Sequence, residues 1–359
     1  MILFHDTDRP TPLFEHEGLT RYLSTTIRQP GTLDRAGYEA LSDTARRSYD
    51  RERVLFLSGG ILVNTPDVSA AKNRLRRLMG ENLGRNSGHV GLMLSGDSTL
   101  GKTTIAKTLM TYVYRNYQQQ FPDFVARGRI PVVYIEVPAG STGKLLMIAF
   151  ARFFGLTVLR AETADSIKTR VVAALNAAGT QLVVVDELHN LSATNRGNGE
   201  SVDILKSLHN QVPATFVYAG IHLDSGALLA GSRGQQLSAR FIRTDLSRFN
   251  RSDPAQERDW KAIVSKFEKS LPLAEHVPGT LVKLSRHLHD RTNGSIGSLG
   301  KLITGAAIDL ILDPAGRPEA ITNTILDDQI LDIAAETSYA NRPTSTNRPT
   351  STKTRESEK

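Results

Sequence analysis

The segment Leu92–Met110, LMLSGDSTLGKTTIAKTLM, decides how this chain is read. An apolar run enters a glycine-bracketed turn and leaves it as a helix pattern. Within it, Gly96–Thr103, GDSTLGKT, satisfies G-x-x-x-x-G-K-[ST] in the strand-to-helix context that gives the motif its mechanism. Glycines let the backbone curl so that successive N–H groups face inward and cradle phosphate oxygens. The helix amino end adds partial positive charge at the same place. On this reading Gly96, Asp97, Ser98, Thr99, Leu100, Gly101, Lys102, Thr103 and Thr104 contact a nucleotide's phosphates. Lys102 reaches the β- and γ-phosphates, and the Thr103 hydroxyl ligates Mg²⁺.

Working outward, apolar strands alternate with helices. HVGLMLS, IPVVYIEV, TQLVVVDEL and ATFVYAGI read as four strands, separated by helical segments. That alternation implies a parallel sheet with right-handed crossovers, an α/β class. The third strand ends in Asp186 and Glu187. Ligands of open parallel sheets gather at strand carboxyl ends, so these acids fall beside the phosphate loop. Asp186 is expected to hold Mg²⁺, largely through water. Glu187 is expected to orient or deprotonate the attacking water. The chain contains no guanine-reading NKxD segment, which favours ATP.

Ahead of the sheet, residues 1–65 read as a partly helical extension, and NTPDVSAAKNRLRRLMGENL as a helix over Pro66–Leu83 with a solvated basic face at Lys72, Arg74, Arg76 and Arg77. The nucleotide-binding core is expected over 66–249. Beyond Phe249 the strands stop, and 250–337 reads as a small helical lid. The tail 338–359 carries NRPTST twice and has no apolar anchors to offset ordering entropy, so it is expected to be disordered.

The 359 residues are 40% hydrophobic, enough for a large core, and lack cysteine, which excludes disulfides and thiolate metal sites. MILFHDTDRP lacks the basic start and apolar run of a signal peptide, and no apolar run nears the ~20 residues of a membrane span. The expectation is a cytoplasmic protein without membrane contact. A formal charge of +7 is compatible with nucleic acid as a partner.

A phosphate loop, a VVVDE strand, a further core strand and a helical lid make the AAA+ layout. Within it the sequence resembles the TniB/TnsC-type ATPases of bacterial transposons, relatives of MuB and IstB. The match is carried by LSGDSTLGKTTIAKTL, LVVVDELHNL, FVYAGI, QQLSARFIRTDLSRF and TNGSIGSLGKLITGAAIDLI, spanning roughly Asp67–Ala335. The resemblance implies an ATPase that assembles on double-stranded DNA without sequence preference, as a ring or helical homo-oligomer, and recruits or activates a transposase. It implies that Arg240 in LSARF is an arginine finger reaching the neighbouring subunit's γ-phosphate, with Arg233 and Arg243 competing for that role. By analogy with initiator-type rings, the loops PAGSTGK and SATNRGNG offer Lys144 and Arg196 to the DNA backbone. Two departures point to slow hydrolysis: YAGI lacks a polar γ-phosphate sensor, and TNGSIGSLG lacks the lid arginine usual near Gly294. The same nucleotide residues would also serve a signalling or defence module that acts on protein partners.

Overall fold

In the computed structural model, the described residues are 9–191, 198–223, 231–313 and 315–340. Five strands, β1 (Gly91–Ser95), β2 (Val132–Glu136), β3 (Leu182–Asp186), β4 (Thr215–Gly220) and β5 (Phe241–Asp245), form one parallel sheet in the order β2-β3-β4-β1-β5. β1, β3 and β4 are buried along their whole length, as parallel strands covered on both faces must be. Their registers pair Ser95 with Gly220 and Asp245, and Glu136 with Asp186. The carboxyl ends of all five strands therefore lie along one edge.

β5 is absent from the four-strand reading. Phe241 and Ile242 are half-buried, Thr244 is buried, and Arg243 and Asp245 face solvent, because this strand is the sheet's edge. The polar residues hid it inside a segment that reads as a connection. Arg74 is a further correction: it donates to Thr244 Oγ1 at 2.7 Å and ties its helix to that edge rather than facing solvent.

Helices cover the sheet. From the amino end α1 (His16–Ser24) and α4 (Pro66–Asn82) pack on it, whereas α2 (Arg35–Glu39) and α3 (Asp43–Leu55), the latter running into a π-helical turn at Phe56–Gly60, lie against the lid. Thr65 caps α4 through its side chain, with Pro66 in the first turn. α5 (Lys102–Gln120), α6 (Gly143–Phe153), α7 (Ala164–Ala178), α8 (Asn198–Gln211) and α9 (Gly231–Ser238) are the crossovers and the approach to β5. Thr163 caps α7, as its position in the sequence predicts. The remaining helices, α10 (Pro254–Lys269), α11 (Thr280–Lys283), α12 (Ser285–Thr292), α13 (Ile296–Ile311), α14 (Asn323–Asp327) and α15 (Ile333–Ala340), build a separate apolar core around Trp260, Phe267 and Leu302. α15 runs to Ala340, past the expected start of the tail at 338; residues 341–359 lie outside the described ones. No single helix among the described residues is long and apolar enough to cross a membrane.

The amino-terminal segment divides its loyalty. Leu19 and Leu23 of α1 are buried in the sheet's core, whereas Leu57 joins the lid core. Arg53, 1% exposed, pairs with Asp50 and with Glu319 at 2.6 Å each, donates to the Pro272 carbonyl, and lies 4.6 Å from the Tyr49 ring. Both carboxylates hold the two terminal nitrogens of this buried guanidinium while its Nε has no hydrogen-bond partner, so removing either acid would leave charge unpaired in a dry site.

At the amino edge of the sheet His209 is fully buried between Phe216, Tyr218 and Phe241. One ring nitrogen lies 2.9 Å from the Tyr218 hydroxyl. Burial pushes its pKa from 6.5 down to about 3. The folded chain refuses a proton that the unfolded chain takes up below 6.5. Its contribution is therefore whole above that pH and shrinks as pH falls toward 3. We expect the urea midpoint to drop as the solution is acidified through that range. In His209→Gln the slope should flatten by up to ~1.4 kcal/mol per pH unit, one proton's worth; parallel slopes in the two proteins would refute the assignment.

Candidate nucleotide site

The loop between β1 and α5 is the site's floor. Thr99 takes φ 65 and Gly101 φ 89, and α5 begins at Lys102, so its first N–H groups open toward the loop. A non-glycine residue in the left-handed region costs about 1 kcal/mol, held here by surrounding contacts. Lys102 is 6% exposed and donates from Nζ to the carbonyls of Gly96 and Asp97, both at 2.7 Å. Burial lowers its pKa, opposed by the charges of Glu187, Asp186 and Asp97. An ammonium pulled out of water with three carboxylates nearby is a strong partner for phosphate.

Asp186 sits at the centre. It is 1% exposed; its Oδ2 accepts from Thr103 Oγ1 at 2.9 Å and from the Tyr134 hydroxyl at 3.1 Å, and its Oδ1 accepts the Glu187 amide at 2.9 Å. Burial, then the neighbouring carboxylates, drive the Tyr134 pKa far up, so the hydroxyl stays a donor. Two hard oxygens, Thr103 Oγ1 and Asp186 Oδ2, stand side by side at the foot of the loop, a donor set that suits Mg²⁺ with retained waters.

Glu187 follows in the left-handed region, φ 55, which turns the chain sharply out of β3. Two residues escaped the sequence reading. Tyr134 and Glu136 sit on β2 beside Asp186, and burial followed by the charges of Asp186 and Glu187 raises the Glu136 pKa. The signal was available, since Tyr and Glu are the polar positions of an otherwise apolar strand, VVYIE.

The lid closes on the loop directly. Ser295 Oγ, at the start of α13, lies 2.9 Å from both the Thr99 carbonyl and Thr99 Oγ1, and Gly297 N–H donates to the same carbonyl at 2.8 Å. A Cβ on Gly297 would stand 2.4 Å from that oxygen, so only glycine fits. The lid does carry an arginine near Gly294, Arg291, but it is turned to Gln329 O and Glu336. Beside the loop opens a cleft of about 320 Å³, walled by Leu57, Ile61, Leu62, Leu100, Phe267 and Ile296. Its size and apolar lining suit a planar base.

The other expected residues lie apart. Arg240 closes the α9–β5 turn; its carbonyl accepts the Gly91 amide and its Nη1 bonds Asn210. That is the amino end of β1, a strand of five residues at about 3.3 Å each, so Arg240 is too far to serve its own phosphate loop. Arg243 points from the edge strand and pairs with Asp245. Arg233 falls in α9, its side chain outside the described part. Lys144 is in the first turn of α6 rather than in a loop, and Arg196 lies outside the described residues.

A model of the family described as TniB, bacterial TniB protein, matches residues 53–251. Among solved structures, the chain is similar to ORC1 of Aeropyrum pernix in complex with DNA (TM-score 0.54, 15% identity, 79% of this chain and 69% of that one). It is also similar to ORC2 of the same organism in ADPNP–ADP complexes (0.52, 14%, 76% and 67%). Cdc6p of Pyrobaculum aerophilum scores 0.50 at 14% identity, over 74% and 67%. At such identities the likeness is one of fold: an AAA+ P-loop NTPase with a parallel sheet core and helical lid. No curated protein matches the chain.

Lys102→Ala should abolish binding of an ATP analogue in calorimetry. Gly297→Ala should weaken it about tenfold while leaving the sheet intact by circular dichroism, since the lid must lift off Thr99; unchanged affinity in either variant would contradict the corresponding contact.

Proposed function

The chain belongs to the family of bacterial TniB proteins, and from that premise we propose that it is an ATP-dependent AAA+ ATPase that assembles on DNA and regulates transposition by recruiting or activating a transposase. One observation carries the reading. Lys102, Thr103, Asp186 and Glu187 converge at one edge of the sheet, while Arg240 stands at the opposite edge of the same protomer. A second protomer is the natural source of the missing cation.

The chemistry follows from these positions. The loop amides and Lys102 bind the β- and γ-phosphates, and the apolar cleft holds adenine. Thr103 and Asp186 would hold Mg²⁺, which would supply positive charge against the phosphate oxygens. Glu187 takes a proton from a water aligned with the γ-phosphoryl group; the water oxygen forms the new P–O bond as the bond to ADP breaks. Arg240 of a neighbouring protomer neutralises charge as it builds on the transferred group. Hydrolysis thereby becomes a property of the assembly.

The partner reading rests on the net charge of +7 and on kinship with the TniB family. Contacts from Lys144, and from Arg196, would be to backbone phosphates and thus indifferent to sequence.

Electron microscopy and sedimentation with duplex DNA test this. Oligomers should form on DNA with ATP, dissolve as salt rises, and persist longer in Glu187→Gln, which binds ATP but releases phosphate at least tenfold more slowly. Arg240→Ala should lose hydrolysis while keeping ATP affinity. Assembly indifferent to ATP, or phosphate release unchanged in Glu187→Gln, would overturn the proposal.

A further inference from the structure

Two surfaces of the chain carry opposite charge, and each exposes isoleucine. The first is a groove of about 540 Å³ between the amino-terminal extension and α5. Arg9, Arg21, Lys107 and Arg115 line it, and among the described residues no carboxylate does. Arg115 is steadied there by donating to Thr26 Oγ1 at 2.9 Å, and the Lys107 ammonium stands 5.7 Å from the centre of the Tyr22 ring. Ile27 and Leu62, both exposed, supply apolar wall. The second surface is on the lid, between α14 and α15. Asp327 and Asp328 stand exposed at the end of α14, and Ile330 and Ile333 follow at 90% and 87% exposure. Large apolar side chains so bare and so close together mark a contact surface.

We propose that the acidic patch on the lid of one copy docks in the basic groove of the next. The inference rests on the ATP-dependent assembly proposed above and names a contact for it. The two surfaces match twice over, cation against carboxylate and isoleucine against isoleucine and leucine. Within one protomer they do not meet: Ile330 at that exposure has almost nothing packed on it, and no residue of the patch lines the groove. A contact between two different surfaces is heterologous, so each added copy leaves one groove and one patch open. Repetition yields a ring or a helical filament. Duplex DNA suits the groove less well, because its convex phosphate surface leaves a concave apolar wall uncovered.

The contact is placed to be felt at the nucleotide. Tyr22, Gly59, Leu62 and Lys107 line both the groove and the base-sized cleft. A neighbour seated in the groove presses on a wall of that cleft, and a base in the cleft firms the wall against which the neighbour packs. By linkage, the factor by which ATP favours the contact is the factor by which the contact favours ATP. Most of the contact also lies outside the family match over 53–251. Arg9, Arg21 and Ile27 precede it, and Asp327, Asp328, Ile330 and Ile333 follow it.

Charge reversal tests the contact, read by sedimentation of the full chain with a non-hydrolysable ATP analogue and duplex DNA at low ionic strength. Arg21→Glu with Arg115→Glu sets acid against acid, and Asp327→Lys with Asp328→Lys sets cation against cation. Each pair should raise the protein concentration at half-assembly at least about tenfold. Mixed in equal amounts, the two variants should assemble within about threefold of the parent, because every alternating contact then joins opposite charges. Ile330→Ser alters a nearly bare side chain and should raise the midpoint about threefold, even if a charge-reversed chain folds poorly. Analogue affinity measured below assembling concentrations should be the parent's in all three. A mixture that stays apart, or reversed variants that assemble as the parent does, would sink the contact and leave the nucleotide site standing. Weakened assembly on groove reversal alone, with patch reversal silent, would give the groove to nucleic acid and sink it too. A parent that fails to assemble with the analogue and DNA takes the proposed function and the contact down together.

Discussion

A single carboxylate, Asp186, organises the site because the interior gives it almost no water and three hydrogen-bond donors. An isolated charge so placed would be costly, and it persists because Thr103, Tyr134 and the Glu187 amide satisfy it. Those donors come from α5, β2 and the turn after β3. Their meeting depends on a parallel sheet in which strands of different sequence position end at one edge. The sheet is thus less a scaffold beneath the site than the reason for it: shift β3 by one residue against β2 and Asp186 would point to the other face.

Much of this could be read before any coordinates. The phosphate loop identified its own strand and helix, and VVVDE put two acids at a strand end beside it, because both signals are local and have a fixed mechanism. The caps at Thr65 and Thr163 were legible for the same reason. What escaped was set by tertiary neighbours. β5 is an edge strand with charged positions, so no apolar run announced it. Tyr134 and Glu136 matter only through their register with β3. The sharp turn at Glu187 has no periodicity at all; a non-glycine residue in the left-handed region is invisible to pattern reading. Lys144 shows the converse error, a residue assigned to a loop that the Thr142 cap had already claimed for a helix.

The amino-terminal extension reads differently once it is seen to touch both cores. Its first helix buries leucines against the sheet, each worth about 1.5–3 kcal/mol if fully transferred from water, and its third helix anchors the lid through Arg53. Tyr22 of the first helix and Leu57, Ser58 and Gly59 just past the third stand among the residues that line the apolar cleft. The extension thus contributes wall to that cleft at both of its attachments. A core and lid joined at two places are restricted in how far they can hinge, which is consistent with a lid that rests on the phosphate loop through backbone as well as side-chain contacts.

That resting contact has a kinetic meaning. The Thr99 carbonyl is bonded by Gly297 and Ser295 at the amino end of the lid's longest helix. Any tilt of α13 therefore pulls on the very peptide that shapes the phosphate cradle, and any relaxation of the cradle loosens the helix. On the proposed function, product departure and lid movement would be one event seen from two sides. A glycine amide and a serine hydroxyl on one carbonyl oxygen thus tie the attitude of a whole helix to the shape of a single peptide in the loop.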